Sequence, residues 1–495
     1  MRRRMRKKDH YLDFDAKRRK RKFTARKETK GFRKRGLPAL FILVIAIGLG
    51  VCVFFYTKRK MDGIERNKLA KNLLIQRQLE ELSKRSESGP YGMWILKPVE
   101  DEFIEPVEDK EVWMANFQDN RKAVKAKGIY VTASKANKNI DDLLKLVDDT
   151  ELNAMVIDIK DDDGRITYQM NYQPAVEINA IRGYISDIEG VIKKLKEHDV
   201  YLIARIVAFK DPVLAEKKPE LALKLKDGST FRDKDKLAWV NPFKKEVWDY
   251  LVGVASHCAE IGFDEVNFDY IRFSTDSGMA NVDFGAEAEN KTKIETITEF
   301  VKYACEQLKP LGIYVSADVY GAIISSPVDA KIVGQSYIEM SKYLDYICPM
   351  IYPSHYGDGY YGIKYPDTEP YNLILAALEA SRKSLNEIPE GEHRAKVRPW
   401  LQDFTATWIK HYIRYGSKEV RDQIEAVYDS DYSEWLLWNG AMNYTKGALY
   451  TEEEAAVHYA NRPTSTPLPT PTPIPLPTRV PNSGKYYESP WKSGN

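Results

Sequence analysis

The feature that most constrains this chain is a regular alternation of strand and helix patterns between residues 128 and 459. Eight apolar segments have the length and residue types of buried strands, and they are residues 128–133, 153–160, 201–209, 263–273, 313–320, 343–352, 397–402 and 435–444. Eight amphipathic segments follow them, at residues 140–147, 185–197, 243–259, 294–308, 330–340, 371–385, 418–428 and 452–459. This count predicts an α/β fold, a (β/α)8 TIM barrel. A doubly wound sheet is disfavoured because the chain contains neither GxGxxG nor GxxxxGK[ST].

Charged and amide side chains recur on one face of four consecutive predicted strands. Asp158, Arg205, Asp269 and Asp318 each alternate with apolar neighbours, and Asn267 shares the parity of Asp269. Polar groups inside apolar strands need partners or a function. Because the active sites of such barrels lie at the carboxyl ends of the strands, we predict that these residues surround a functional site.

The later strands and their loops add aromatic and amide side chains to this predicted site. Rings beside amides and carboxylates suit carbohydrate binding, since sugar C–H faces pack on rings while hydroxyls pair with fixed polar groups. Filling of the barrel interior explains the same rings, and the pattern does not separate the two interpretations. The predicted substrate-binding residues are Asp158, Arg205, Asn267, Arg272, Tyr320, Tyr352, His355, Trp400, Gln402, Trp438 and Asn443.

Several motifs together resemble a known family. The segments KGIYVTA, MVIDIKDDDG, ARIVAFKDP, WVNPFKKEVWDY, GFDEVNFDYIRF, VSADVYG and YICPMIYPSHY are similar to the bacterial "putative glycoside hydrolase" domain, a glycosidase-type TIM barrel. The resemblance covers residues 127–461 and implies hydrolysis of a glycosidic bond, with the strand-four acid Asp269 as the first catalytic candidate. The MIYP stretch is also similar to the MxYD of chitinase-like barrels, which implies that Tyr352 helps to hold the sugar. The DxxDxDxE motif of those barrels is absent.

Glycoside hydrolysis generally requires two carboxyl groups. Asp269 and Asp318 are the predicted catalytic pair, because they have the same parity on adjacent strands. Strands about 4.8 Å apart allow the separation of about 5 to 5.5 Å found in retaining enzymes, and the side-chain directions leave the wider inverting separation open. The predicted strands four and seven do not end in Glu, so Asp403 and Asp158 are reserve candidates.

The N-terminal part of the chain predicts a membrane anchor. Residues 1–36 contain 18 Lys/Arg against 4 Asp/Glu, whereas the remainder contains 57 against 68. Residues 37–56 then form an uncharged run of 20, enough for a helix of about 30 Å across a bilayer. No small-residue cleavage pattern follows, so we predict a signal-anchor. The larger basic excess lies before the helix, which places the N-terminus in the cytoplasm and the barrel outside the cell.

The expected domains are a basic cytoplasmic tail (1–36), a transmembrane helix (37–56), a stalk and lead-in (57–126), the barrel (127–461) and a Pro/Thr-rich disordered tail (462–495). The basic tail is expected to act as a topology signal and to contact anionic lipid. Nucleic acid is not an expected partner, because these 36 residues contain no binding fold. The Pro/Thr tail reads equally as an extracellular spacer and as simple disorder.

No cofactor or metal is predicted. The seven histidines include no HExxH or paired spacing, and the four cysteines do not match a zinc site. Buried thiols are the expected state of Cys258, Cys305 and Cys348, with a Cys258–Cys305 disulfide as the alternative. Residues 161–164, DDDG, suggest a solvated turn more strongly than a calcium loop, whose remaining positions are missing.

The sequence therefore predicts a membrane-anchored hydrolase of an extracellular or cell-surface polysaccharide. A non-catalytic carbohydrate-binding barrel of the cell envelope would show the same cleft without the chemistry. A structural envelope protein is the third hypothesis, and it predicts that the barrel binds no oligosaccharide.

Overall fold

The structure, a computed structural model, describes residues 121–460 of the chain. The predicted basic tail, transmembrane helix and Pro/Thr tail lie outside this range, as does nearly all of the predicted stalk and lead-in. Between residues 121 and 460, no helix has both the length and the apolar character needed to cross a membrane.

Eight parallel strands close into a barrel, because the first strand is hydrogen-bonded to both the second and the eighth. They are β1 (Lys127–Val131), β2 (Ala154–Lys160), β3 (Tyr201–Val207), β4 (Glu265–Asp269), β5 (Tyr314–Tyr320), β6 (Tyr346–Met350), β7 (Lys396–Val397 and Trp400–Gln402) and β8 (Trp435–Trp438). Two further strands, Ile166–Tyr168 and Ile181–Ile185, extend the sheet beside β2, and Lys224–Leu225 pairs with Val282–Asp283. The predicted (β/α)8 barrel is confirmed.

Eight helices follow the barrel strands in the described part of the chain. They are α1 (Ile140–Asp148), α2 (Ile188–Glu197), α3 (Lys245–Glu260), α4 (Lys293–Leu308), α5 (Tyr337–Ser341), α6 (Pro370–Leu385), α7 (Ser417–Asp429) and α8 (Glu452–Ala460). Shorter helices at Ala133–Lys138, Gln173–Glu177, Pro212–Lys217 and Pro327–Val333 lie in the connections.

Local sequence signals explain where these helices form. In α1, Ile140, Leu143, Leu144 and Val147 follow the spacing of one helix face, and all four are buried. A capping box begins α4, in which Thr292 and Glu295 satisfy each other's backbone N–H groups. The apolar faces of the helices pack on the outer surface of the barrel, while a second cluster that includes Tyr346 fills its interior.

Three predicted elements are shorter than expected, and left-handed backbone explains two of them. The predicted strand 263–273 ends at Asp269 because Tyr270 has φ +48°, which strand geometry does not allow. The predicted helix 330–340 is two helices separated by Gly334, which has φ +77°. The predicted strand 435–444 ends at Trp438, and the chain then turns through Met442, which has φ +55°.

Candidate active site

A cleft of about 1140 Å³ opens at the carboxyl ends of the barrel strands. Nine of the predicted site residues line it, namely Asp158, Arg205, Asp269, Arg272, Asp318, Tyr320, Tyr352, His355 and Trp438. The strand parity read from the sequence therefore brings these side chains to one cavity.

Asp269 is the last residue of β4, and three hydrogen bonds fix its carboxylate. Arg205 donates to Oδ2 from Nε at 3.0 Å and from Nη2 at 2.6 Å. The backbone N–H of Tyr270 donates to Oδ1 at 2.6 Å. Tyr270 itself has a left-handed backbone, a conformation that costs about 1 to 3 kcal/mol in a residue other than glycine.

Arg205 joins three carboxylates at the mouth of the barrel. Besides Asp269, its guanidinium donates to Asp158 Oδ1 at 2.7 Å and to Asp162 Oδ1 at 3.3 Å. The Tyr130 hydroxyl donates to the other oxygen of Asp158 at 2.5 Å. Both oxygens of Asp158 are therefore engaged, so this reserve candidate acts as a structural partner of Arg205.

Asp318 lies in a different environment from Asp269. Burial first, and then the neighbouring charge of Asp269, raise the pKa of Asp318 well above its ordinary value, although hydrogen bonds from Trp400 and Asn267 and the charge of Arg205 oppose the shift. Trp400 Nε1 donates to Oδ1 at 2.7 Å, and Asn267 Nδ2 donates to the same oxygen at 2.9 Å. Because Oδ1 already accepts two hydrogen bonds, the proton of the neutral acid belongs on Oδ2.

The two carboxyl groups are at the same level of the sheet. β4 and β5 pair with Asn267 opposite Ser316 and Phe268 opposite Ala317. The same register places Asp269 level with Asp318, and both line the cleft. An acid whose pKa is raised by burial thus lies beside a carboxylate held by arginine, an arrangement that suits acid–base catalysis on two carboxyl groups.

Four predicted substrate-binding residues do not line the cleft. Asn267 and Trp400 lie behind Asp318 and hold it. Gln402 is fully buried and bonds to Ser354 and Asp367 in the packing beneath the loops. Asn443, predicted on a strand, follows the end of β8, and its carbonyl oxygen accepts a bond from Asn439. Strand parity predicted which side chains point into the barrel, but not how far each one lies from the cleft.

Asp403, the other reserve candidate, is also structural. Its two carboxylate oxygens accept hydrogen bonds from the backbone N–H and the hydroxyl of Thr445, at 2.8 and 2.6 Å. It does not line the cleft. The loop after β8 is held in place by this carboxylate.

His355 is half-buried beside the cleft, and its Nδ1 lies 3.0 Å from the Ser354 hydroxyl. Burial lowers the pKa of His355 to about 4. The imidazole is therefore neutral at pH 7, which removes it as a general acid and leaves it a polar wall of the site.

Several residues of the cleft were not predicted, chiefly on loops. Lys210 lies in the ARIVAFKDP segment but beyond its strand, and Tyr130 lies within β1 as part of an apolar run. Phe404 and Trp408 stack at 5.8 Å in the loop after β7, and half of Trp408 is exposed. The stacked pair Tyr130 and Trp438, at 4.2 Å, forms a second aromatic wall. The aromatic-rich loop sequence DFTATWIKHYIRYG, residues 403–416, was the available signal for Trp408.

The DDDG segment forms a tight turn, as predicted, but it is partly buried and three of its acids line the cleft. Asp161 Oδ1 accepts backbone N–H bonds from Asp163 and Arg165, at 3.0 and 2.8 Å. Burial is the main reason that the pKa of Asp161 is raised to about 6. In residues 121–460, no group of three or more His, Cys, Asp or Glu side chains is arranged to hold a metal ion.

The cysteine alternatives are resolved for the described residues. Cys258, Cys305 and Cys348 are free and buried, so the disulfide between Cys258 and Cys305 does not form. Burial raises the pKa of each thiol, which makes all three unreactive packing residues.

A (β/α)8 barrel with paired carboxyl groups in an aromatic-walled cleft has the composition of a glycoside hydrolase site. The chain belongs to the family described as "Putative glycosyl hydrolase domain", whose family model matches residues 128–444. The family resemblance inferred from the motifs is confirmed, and membership supports a glycoside hydrolase activity.

Solved structures were compared with the chain as well. A hypothetical protein from Ruminiclostridium thermocellum is 40% identical, covers 39% of this chain over 97% of its own length, and has a TM-score of 0.36. The PgaB (BpsB) glycoside hydrolase domain from Bordetella bronchiseptica is 15% identical over 64% of this chain and 94% of its own, with a TM-score of 0.47. A catalytic domain of the Ostrinia furnacalis Group II chitinase is 11% identical over 66% and 95%, with a TM-score of 0.39. Among curated proteins, none matches the chain.

Proposed function

We propose that the barrel hydrolyses glycosidic bonds of an extracellular or cell-surface polysaccharide, with Asp318 as the general acid and Asp269 as the nucleophile or the base. The observation that carries this proposal is the placement of a buried acid with a raised pKa beside an arginine-held carboxylate, on adjacent strands of one cleft. Two carboxyl groups with opposite protonation states are the minimum for this reaction.

The reaction proceeds by transfer of the Oδ2 proton of Asp318 to the glycosidic oxygen as the bond to the anomeric carbon breaks. Asp269 either attacks that carbon, forming an intermediate that water later hydrolyses, or removes a proton from a water that attacks it. In both routes one water is consumed for each bond broken. Arg205 donates two charge-assisted hydrogen bonds to Asp269 and fixes the direction in which its carboxylate faces.

The aromatic walls account for substrate binding in this proposal. Trp408 and Phe404 at one side of the cleft, and Trp438 and Tyr130 at another, offer flat faces for sugar C–H groups. Tyr352 lies between them against Phe404, with ring centroids 6.0 Å apart. A polysaccharide that crosses the mouth of the barrel would meet both walls and pass over the two carboxyl groups.

The test uses the full-length protein purified in detergent and a panel of bacterial and plant glycans. Wild-type protein is expected to release oligosaccharides from at least one glycan, while Asp269→Asn binds the same glycan and releases none. Asn keeps the size of Asp and removes its charge. Binding without release by the wild type on every glycan would instead establish a non-catalytic binding barrel, and equal release by the variant would remove Asp269 from the mechanism.

The proposal includes a single-pass anchor. The run at residues 37–56 holds the chain in the cell membrane, the basic residues 1–36 stay in the cytoplasm near anionic lipid, and the barrel lies outside. Protease added to intact cells should digest the barrel and spare an epitope tag at the N-terminus. Protection of the barrel would contradict this orientation.

A further inference from the structure

The cleft presents less negative charge to a ligand than the number of acidic residues that line it suggests. Seven carboxyl groups face three fixed cations there. The acids are Asp158, Asp161, Asp162, Asp163, Asp235, Asp269 and Asp318, and the cations are Arg205, Lys210 and Arg272. The charge available to a ligand depends on which of these groups already have partners.

Most of the acids are already engaged. Arg205 alone contacts three of them. Asp163 pairs with Arg165 at 2.9 Å, and Asp161 accepts two backbone N–H bonds. Asp318 favours its neutral form because burial raises its pKa. Among the described residues, this leaves Asp235 as the one lining acid whose carboxylate has no partner, and it is exposed.

Lys210 and Arg272 show the opposite situation. Each side chain is buried, with only 7% of the residue exposed. Within residues 121–460, neither cation forms an ion pair with a carboxylate; Arg272 donates to the carbonyl of Phe273 at 2.9 Å and lies 4.6 Å from the centre of the Tyr320 ring. Buried charge without a counter-charge is costly, so two such cations at one site indicate an anionic ligand group.

Both cations lie against one ring beside the catalytic strand. Lys210 Nζ is 4.9 Å and Arg272 Cζ is 5.1 Å from the centre of Tyr270. Arg272 follows Asp269 by three residues, and Lys210 follows Val207, which pairs with Asp269 in the sheet, by three residues. The cations therefore flank the end of β4 on two adjacent loops, next to the carboxylate that acts on the sugar.

We propose that Lys210 and Arg272 form a subsite for a carboxylate on the sugar unit at the point of cleavage, so that the substrate is an acidic polysaccharide. The position of this subsite at the point of cleavage rests on the proposed hydrolysis. Its preference for an anion rests on the two cations that have no carboxylate partner. The planar guanidinium of Arg272 matches two carboxylate oxygens, and Lys210 adds a second positive charge. The stacked Trp408 and Phe404, on the loop after β7, leave the neighbouring sugar units free to be neutral.

The test compares an acidic glycan with its own carboxyl-reduced form, in which each carboxylate becomes a neutral CH2OH. Oligomers of glucuronic and galacturonic acid are the probes, with sulfated and phosphorylated oligosaccharides as further arms. Binding is measured on full-length protein carrying Asp318→Asn. This change removes the proton donor of the proposed reaction, and Asn is uncharged, like the protonated form of Asp318. We expect at least one acidic oligomer to bind about tenfold or more tightly than its reduced form.

Arg272→Gln and Lys210→Gln should each reduce that preference, and the double variant should abolish it. Arg382→Gln is the matched control, because it removes a cation that pairs with Asp431 away from the cleft, and it should leave the preference unchanged. Equal binding of acidic and reduced forms, or binding of neither, would overturn the subsite. Tighter binding of the sulfated or phosphorylated oligosaccharides than of any uronic acid would overturn its assignment to carboxylate.

This outcome is separable from failure of the proposed function. An acidic preference in a protein that cleaves nothing would keep the subsite and remove the hydrolysis. Cleavage without any preference, unaffected by the loss of both cations, would keep the hydrolysis and remove the subsite.

Discussion

Among the described residues, two buried arginines hold carboxylates at opposite ends of the barrel interior. At the amino-terminal end, Arg398 contacts Glu265 and Glu434, and these three residues are the lower cluster. At the carboxyl-terminal end, Arg205 contacts Asp158, Asp162 and Asp269, and these four residues are the upper cluster. The ion pairs are alike, so the difference between the two regions shows what turns such a cluster into a reactive site.

The lower cluster is enclosed, and Arg398 pairs with both of its carboxylates. The side chains of Arg398 and Glu265 have no exposed surface, and the Tyr201 hydroxyl donates to Glu265 at 2.9 Å. Arg398 also lies 3.8 Å from the centre of the Tyr346 ring. A buried cluster of this kind costs much to break and offers nothing to a substrate.

The upper cluster differs in two respects. It borders an open cleft, and a further carboxyl group, Asp318, lies level with Asp269 on the next strand. Burial and the charge of Asp269 raise the pKa of Asp318 well above its ordinary value, which favours an acid with a proton to donate. Access and this added acid, rather than the ion pairs, define the site.

Replacement of Asp318 by Asn should have a large effect on turnover. Asn keeps an acceptor for Trp400 and Asn267 but has no proton to donate, so kcat is expected to fall by about 10²- to 10⁴-fold. In the wild type, activity should be lost as the pH rises through the raised pKa of Asp318, because the neutral form is the active one. A pH–rate profile of both proteins checks this, and an unchanged alkaline limb in the variant would assign that limb to another group.

The same replacement should also change the pH dependence of stability. A carboxyl group whose pKa is raised on folding contributes stability below its unfolded value of about 4, and this contribution is lost as the pH rises through the folded value. Asp318→Asn should therefore be more stable than the wild type at neutral pH and lose that advantage in acid. Urea unfolding at pH 4 and pH 7 measures the difference, and a destabilised variant at pH 7 would contradict the assigned neutral state.

Loss of Arg398 should reduce the stability of the protein more than loss of Arg205. Arg398→Met leaves Glu265 and Glu434 buried without a counter-charge, so the free energy of unfolding should fall by about 3 to 5 kcal/mol. Arg205→Met leaves its carboxylates beside a cleft that admits water, so the free energy of unfolding should fall less than in Arg398→Met. Turnover per folded molecule should fall more in Arg205→Met than in Arg398→Met. Urea unfolding and turnover of both variants check the contrast, and equal stability losses would break it.

The smallest effect is expected for Trp400→Phe. This change removes the Nε1–H bond to Asp318 Oδ1, and that bond lowers the pKa of the acid. The alkaline limb of the pH–rate profile should therefore move to higher pH. The smaller ring also leaves space at a position with no exposed surface, so a stability loss of about 1 to 3 kcal/mol is expected. A limb that stays in place would show that Trp400 fills space without tuning Asp318.

The sequence predicted the upper region better than the lower one. Alternation along β2 to β5 was enough to select Asp158, Arg205, Asp269 and Asp318, because side-chain direction in a strand depends only on position. The lower cluster joins Glu265 to Arg398, 133 residues away. Such a pairing depends on barrel closure and register, which no local pattern encodes.

Element boundaries and the positions of loop residues were also difficult to predict from the sequence. The left-handed Tyr270 ends β4 within an apolar stretch, and its residue type gives no warning of that conformation. Lys210 and Trp408 lie on loops whose path is set by packing on the finished barrel, so their places in the cleft appear only in the structure. The predicted membrane anchor lies outside the described residues, so it stays a prediction.

The most direct measurement sets Asp269→Asn beside Glu265→Gln, with turnover expressed per folded molecule on the same glycan. Both changes neutralise a carboxylate held by a buried arginine. The account predicts that Asp269→Asn stays folded and loses at least about 10³-fold in kcat, whereas Glu265→Gln unfolds more easily and keeps near-normal turnover in its folded fraction. Comparable losses of turnover in both variants, or full activity in Asp269→Asn, would contradict the assignment of chemistry to the upper cluster.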